Sequence, residues 1–212
     1  MKPNQNRILA PALSLLVLMI SFAQVSGESL FDGKTFSGWE GKTNSIWKIQ
    51  DGAIVGGSLV EKVVQNEFLC SERQFTNFVL KLKFKLLGTN GFVNSGVQIR
   101  SQRVPNHHEV SGYQADLGQG WWGALYDESR RDKVLAKPDE KEIAKHIKLN
   151  EWNDYTITCR SNRIQLKIND FQTVDYVEPD LNIPQHGRLG LQIHGGGVAQ
   201  AWFKDIQIQT LP

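Results

Sequence analysis

Three short stretches set hydrogen-bonding side chains at alternate positions. In Asn94-Ser95-Gly96-Val97-Gln98-Ile99-Arg100, Asn94, Gly96, Gln98 and Arg100 share one parity, and Val97 and Ile99 fall with the other. Gly112-Tyr113-Gln114-Ala115-Asp116 offers Gln114 and Asp116, and Leu191-Gln192-Ile193-His194 offers Gln192 and His194. Strand side chains point alternately to opposite faces, so each polar set shares one sheet surface. Amides, a guanidinium, a carboxylate and an imidazole together supply donors and acceptors, which suits a polyhydroxylated ligand such as a sugar, whose hydroxyls both donate and accept. Trp121 and Trp122, after Gly118-Gln119-Gly120, and Tyr126 add flat apolar surfaces for a ring to rest on. For both members of the tryptophan pair a ligand platform and core packing stand level as readings, with a division of the two jobs between them left open.

Other chemistry is weakly encoded. His107, His108 and Glu109 suggest a metal cluster, but adjacent strand residues point apart, so they chelate together only from a loop. His186 follows Pro184-Gln185 in an expected turn, and His146 suits a helix C-terminus. No Gly-Lys-Ser/Thr phosphate loop, Gly-x-Ser-x-Gly elbow or His-Glu-x-x-His helix occurs. Cys70 and Cys159 have no zinc-site spacing, and they are read as one disulfide or as two free buried thiols.

The elements that must position these groups are strands. In Phe78-Val79-Leu80-Lys81-Leu82-Lys83-Phe84-Lys85-Leu86 the even positions are apolar and the three lysines face the other way. Tyr155–Arg160 and Ile164–Ile168 repeat the pattern around a tight Ser161-Asn162 connection. Turn signals stand at Asp32-Gly33, Asp51-Gly52, Gly56-Gly57, Asn90-Gly91, Asn169-Asp170 and Gly195-Gly196-Gly197. Many short strands between such turns predict an antiparallel sandwich or barrel. Only Pro138–Lys148 reads as helical, inside a charged excursion from Asp127 to Asn150.

The amino terminus reads differently. Lys2 and Arg7 precede an apolar stretch from Ile8 to Ala23, and small residues follow at Val25-Ser26-Gly27. This order predicts a secretory signal peptide over residues 1–27, and its apolar stretch is shorter than the ~20 residues of a spanning helix. One domain is expected over 28–212, exported to the periplasm or the medium, with no stable membrane anchor. The whole chain has 24 basic and 22 acidic side chains, and loss of Lys2 and Arg7 leaves 22 of each. A neutral domain gives no electrostatic footprint for nucleic acid.

Eight segments in order resemble the bacterial 3-keto-disaccharide hydrolase family, which includes 3-keto-glucoside lyases and 3-keto-2-hydroxy-glucal hydratases. They are Leu30-Phe31-Asp32-Gly33-Lys34 with Gly38-Trp39, Trp47–Gly52, Asn94–Arg100, Gly112–Asp116, Gly123–Tyr126, Glu151-Trp152-Asn153, Gly190–His194 and Phe203–Ile206. The resemblance implies an all-β, concanavalin-like jelly roll, a sandwich of two antiparallel sheets with one short helix. It also implies glucosides oxidised at carbon 3 as substrates. Many relatives have Glu where Gln114 stands and Arg where Lys204 stands. A base role at the first position cannot pass to an amide, which leaves Asp116, Glu128 or His194 to take it.

A carbon-3 ketone acidifies the hydrogen at C2, so such an enzyme needs a base, a holder for the enolate oxygen and an acid for the leaving group. His194 or Asp116 is the expected base. Arg100, alone or with a divalent metal ion, is expected to hold the enolate, and Tyr126 or Glu128 to protonate the leaving oxygen. Gln98, Gln114, Trp121, Trp122, Gln192 and Lys204 are the expected sugar contacts, and no other cofactor is expected. Two alternatives stay open: a non-catalytic lectin-like module, and a two-carboxylate glycosidase using Asp116 and Glu128.

Overall fold

The computed structural model describes residues 27–212, so the expected leader lies outside the described residues save for Gly27. β1 (Glu28–Ser29), β2 (Trp39–Glu40), β3 (Trp47–Gln50), β4 (Ala53–Gly57) and β5 (Glu67–Phe75) come first. β6 (Phe78–Gly91), β7 (Asn94–Arg103), β8 (Val110–Gly118), β9 (Leu125–Glu128) and β10 (Lys133–Ala136) follow. Helix α1 (Glu140–Ala144) precedes β11 (Asn153–Arg160), β12 (Arg163–Ile168), β13 (Phe171–Val177), β14 (Gly187–Ile193) and β15 (Gly197–Thr210).

The strands form two antiparallel sheets, the jelly-roll sandwich that the resemblance implied. The first runs β13-β12-β11-β6-β15-β4-β3 with β1 also on β15, and the second runs β10-β9-β8-β7-β14-β5-β2. Period two builds the core between them. Leu80, Leu82, Phe84, Ile157, Leu166 and Phe203 enter it from the first sheet, and Leu69, Val97, Ile99, Tyr113, Ala115 and Leu191 from the second. On β6 the alternate residues Lys81, Lys83 and Lys85 stay at or near the surface. The second sheet departs from this pattern, because its polar parity is buried too: Gln98, Gln114, Asp116 and Gln192 are all but inaccessible.

Local expectations fare unevenly. Arg160 pairs with Arg163 across the two-residue Ser161-Asn162 connection, with Ser161 at φ 49°. Cys70 and Cys159 are both buried and free. The helix is shorter than expected. Asp139 caps it by accepting from the Lys141 and Glu142 amides at 2.9 and 3.0 Å, so Pro138 stands before the cap rather than inside it. Ile143 is its sole buried side chain, and one anchor gives no apolar stripe along which to extend.

A buried ion cluster joins the two sheets beside β9. Asp127 and Glu178 are fully buried. Arg131 donates to Asp127 and forks onto Glu178 at 3.1 and 2.7 Å, while Arg130 Nε reaches Asp127 at 2.8 Å. The Tyr113 hydroxyl donates to Glu178 at 2.8 Å. Burial pushes the Glu178 carboxyl up, but the Arg131 fork and the Tyr113 hydroxyl outweigh it and hold the group at about 2. Because β9 alternates, fixing Asp127 on the inner side fixes Tyr126 and Glu128 on the outer side.

Arg131→Ala strips a cation from two buried carboxylates and should cost about 3–5 kcal/mol in urea unfolding. In the wild type, the Glu178 contribution is present above pH 4.5 and lost as pH falls toward about 2. The Arg131→Ala protein should lack that acid-side decline.

Candidate functional site

On the outer face of the second sheet lies an open pocket of ≈ 170 Å³. Gln114 and Asp116 form its floor, and Tyr126, Glu128, Trp121, His194, Asn94 and Phe92 its walls. Register explains the convergence. Gly190, Gln98, Gln114 and Tyr126 stand side by side across four strands, and Gln192, Gly96 and Asp116 form the next rank.

A file of hydrogen bonds crosses that floor. Ser101 Oγ donates to Gln98 Oε1 at 2.8 Å, Gln98 Nε2 to Gln114 Oε1 at 2.7 Å, and Gln114 Nε2 to Asp116 Oδ1 at 2.7 Å. Gly96 makes room for it: a Cβ there would stand 2.7 Å from Gln114 Cγ and Cδ. Gln192 lies on the same face, and neither of its amide atoms has a partner among the described residues.

His194 is oriented by its surroundings. Its Nδ1 stands 2.6 Å from the Gly195 carbonyl oxygen, which only accepts, so Nδ1 carries a proton and Nε2 is left for chemistry. The Phe92 ring meets the imidazole edge-on at 4.6 Å between centroids. The two connections carrying these rings touch backbone to backbone. A Cβ on Gly197 would lie 2.3 Å from the Phe92 carbonyl oxygen. Trp121 stands edge-on to Tyr126 at 6.0 Å, forming an aromatic corner on the opposite wall.

Three expected residues lie elsewhere. Arg100 leaves the polar face because β7 bulges between Ile99 and Gln102, with Arg100 itself at φ 49°. The bulge puts Ser101 on that face instead. The Arg100 guanidinium binds the carbonyls of Thr76 and Ser161 at 2.8 and 2.7 Å, and the Gln185 side chain. Lys204 belongs to β15 of the other sheet, where its ammonium lies 4.4 Å from the Trp152 ring centroid. Trp122 turns away from the pocket and stacks on Phe84 at 6.1 Å, so its neighbour Trp121 alone faces the pocket. Gln98 and Gln192 lie buried in the sheet face, and the pocket wall is formed without them.

Sequence reasoning missed Phe92 and Ser101 as site residues. Phe92 follows the Asn90-Gly91 turn signal, and a lone aromatic at a turn carries no chemistry by itself. Asn94 was visible as a member of the polar parity.

Solvation sets the charges. Burial drives the Asp116 carboxyl well above the usual carboxylate range, Gln114's hydrogen bond pulls it partly back, and Glu128 raises it again. Because Oδ1 accepts from Gln114, the proton of neutral Asp116 sits on Oδ2. Burial, with Glu109, Asp132 and Asp127 nearby, pushes Glu128 up to about 7. Tyr126 is raised by the same kind of desolvation. The rings of His107 and His108 stack at 4.3 Å. Among the described residues no group of three or more His, Cys, Asp or Glu is arranged to hold a metal ion.

Residues 26–209 match the 3-keto-alpha-glucoside-1,2-lyase-like domain. No curated protein sequence matches the chain. A candidate glycosyl hydrolase of Parabacteroides distasonis superposes over 88% of this chain and 94% of its own, with 20% identity and a TM-score of 0.67. The carbohydrate-binding module CBM66 of Bacillus subtilis covers 82% of this chain and 96% of its own, at 15% identity and a TM-score of 0.64. A Bacillus subtilis protein with a galectin-like fold covers 87% and 97%, at 10% identity and a TM-score of 0.61. At such identities the likeness establishes a shared sandwich fold.

The Glu128 shift has a measurable sign. Its stability contribution is complete below pH 4.5 and is lost as pH rises to about 7, because the unfolded chain ionises first. Thermal melts should show Glu128→Gln losing that part of the wild-type decline.

Proposed function

Because the chain belongs to the 3-keto-alpha-glucoside-1,2-lyase-like family, we propose that its pocket binds a 3-keto-glucoside and removes the group at C1. The supporting observation is the convergence of Asp116, Glu128 and His194, in three different environments, beside Trp121. The reading includes export ahead of action, as the amino-terminal charge and apolar pattern suggests, and one catalytic domain over 28–212.

The chemistry follows from those environments. Nε2 of His194 takes the C2 proton, and the electron pair moves onto the C3 oxygen. Neutral Asp116 donates from Oδ2 to that oxygen, which places its hydrogen bond where negative charge develops. As the C3 carbonyl re-forms, a double bond forms between C1 and C2 and the C1–O bond breaks. Glu128, poised near neutrality, gives its proton to the leaving oxygen, and Tyr126 beside it is the second donor. Addition of water across the new double bond then yields the free 3-keto sugar. Arg100 has no part in this scheme, since its guanidinium is committed to carbonyls outside the pocket.

Incubation with a 3-keto-disaccharide and with its unoxidised parent tests the reading. Only the oxidised sugar should be consumed, and His194→Ala should cost about 10²–10⁴ in rate. Asp116→Asn should lose far less than Asp116→Ala, because an amide accepts from Gln114 and still donates to the C3 oxygen. Equal losses would make Asp116 the base. Hydrolysis of the parent would favour the two-carboxylate glycosidase, and binding without turnover the lectin-like module.

A further inference from the structure

A second cavity, ≈ 320 Å³, opens on the other side of the turn that carries Trp121. Its walls include Trp122, Pro138, Ile143 and Ile147, and its rim is polar at Lys137 and Glu140, which pair at 2.5 Å. Trp122 braces it, because the indole that stacks on Phe84 also lines the cavity. Leu149, also lining it, is 68% exposed.

The two cavities are neighbours. Residues 118–123 form a turn with Trp121 on one and Gln119, Gly120 and Trp122 on the other. Lys137 lines the second, while its ammonium lies 5.9 Å from the centroid of the Trp121 ring that walls the first. Their capacities differ in kind. Ligand pockets that enclose a whole small molecule typically measure about 300–1,000 Å³ and are mostly apolar. The first cavity falls short of that range and suits a single sugar ring, whereas the second lies within it. A substituent on C1 must therefore leave the first pocket, and the nearest apolar shelter is across the turn.

We propose that the second cavity is a subsite for an apolar ring carried on the sugar's C1 oxygen. This rests on the sugar-binding reading for its first half, since the ring must arrive attached to a sugar held at Trp121. Specificity then follows from apolar burial: glycosides of hydrophobic alcohols are preferred over those of small ones.

Cyclohexyl and methyl 3-keto-α-glucosides test this, because their leaving groups have similar acidity and a difference in KM reads binding. The cyclohexyl KM should be about tenfold lower in the wild type, as burial of a ring's apolar surface implies. Ala144 is an exposed residue at the cavity wall, so Ala144→Trp fills the space without disturbing the core. That variant should raise the cyclohexyl KM to the methyl value and leave methyl kcat/KM within about twofold. In parallel, cyclohexanol alone should shift the Trp122 indole N–H resonance of the wild type and not that of Ala144→Trp. Equal KM values in the wild type, or a silent Trp122 resonance, would overturn the subsite. If neither glycoside turns over, the proposed reaction fails, and the cyclohexanol titration alone then decides the cavity: a shift retains an apolar-ring site and silence removes it.

Discussion

The file of hydrogen bonds from Ser101 through Gln98 and Gln114 to Asp116 is what lets the second sheet bury both of its faces. A buried amide left unpaired costs roughly 1–3 kcal/mol, and the pairing of Gln98 with Gln114 spares the floor that cost at two of its glutamines. The bulge at Arg100 supplies the start of the file by turning Ser101 onto the polar face. Gly96 supplies its path, because a side chain there would collide with Gln114. The pocket stands on that satisfied layer. Gln192, one strand over, is the unpaired member of the same buried face.

Two adjacent acids on β9 show how a strand sorts like residues into unlike tasks. Asp127 turns inward and meets Arg130 and Arg131, and Arg131 ties the sheets together through Glu178. Glu128 turns outward, where burial and neighbouring carboxylates raise it toward neutrality. The structural cation cluster and the acid of the pocket are thus one residue apart. Alternation keeps the arginines away from the carboxyl proposed to exchange a proton.

Period two made much of this legible: the apolar series from Phe78 to Leu86, the polar parities at Gln114 with Asp116 and at Gln192 with His194, and the Ser161-Asn162 connection. What escaped has physical causes. A left-handed φ at an arginine has no composition signal, so the slip that swaps Arg100 for Ser101 cannot be read from alternation. Which sheet a strand joins depends on non-local pairing, and that put Lys204 beside Trp152, away from the pocket. Trp121 and Trp122 are equivalent in sequence, and only the folded turn shows which one meets Phe84. The helix was overextended because its charge pattern suited a long helix while a single Ile143 had to anchor it.

The neutral amide at 114 changes more than a catalytic assignment. A glutamate there, as the resembling family often has, would present acceptors both to Gln98 and to Asp116. One proton would then have to lie between two carboxyls, and ionisation of either would raise the other. Gln114 instead accepts with its oxygen and donates with its nitrogen, so it passes the file on without carrying charge. Asp116 can then hold or lose its Oδ2 proton with no carboxylate hydrogen-bonded to it. Its affinity for that proton is governed chiefly by burial, with Glu128 as the remaining charged influence. In the proposed reaction the stabilising donor and the proton-transferring acid are therefore separate groups. That separation suits a reaction in which one carboxyl must stay protonated while another gives its proton away.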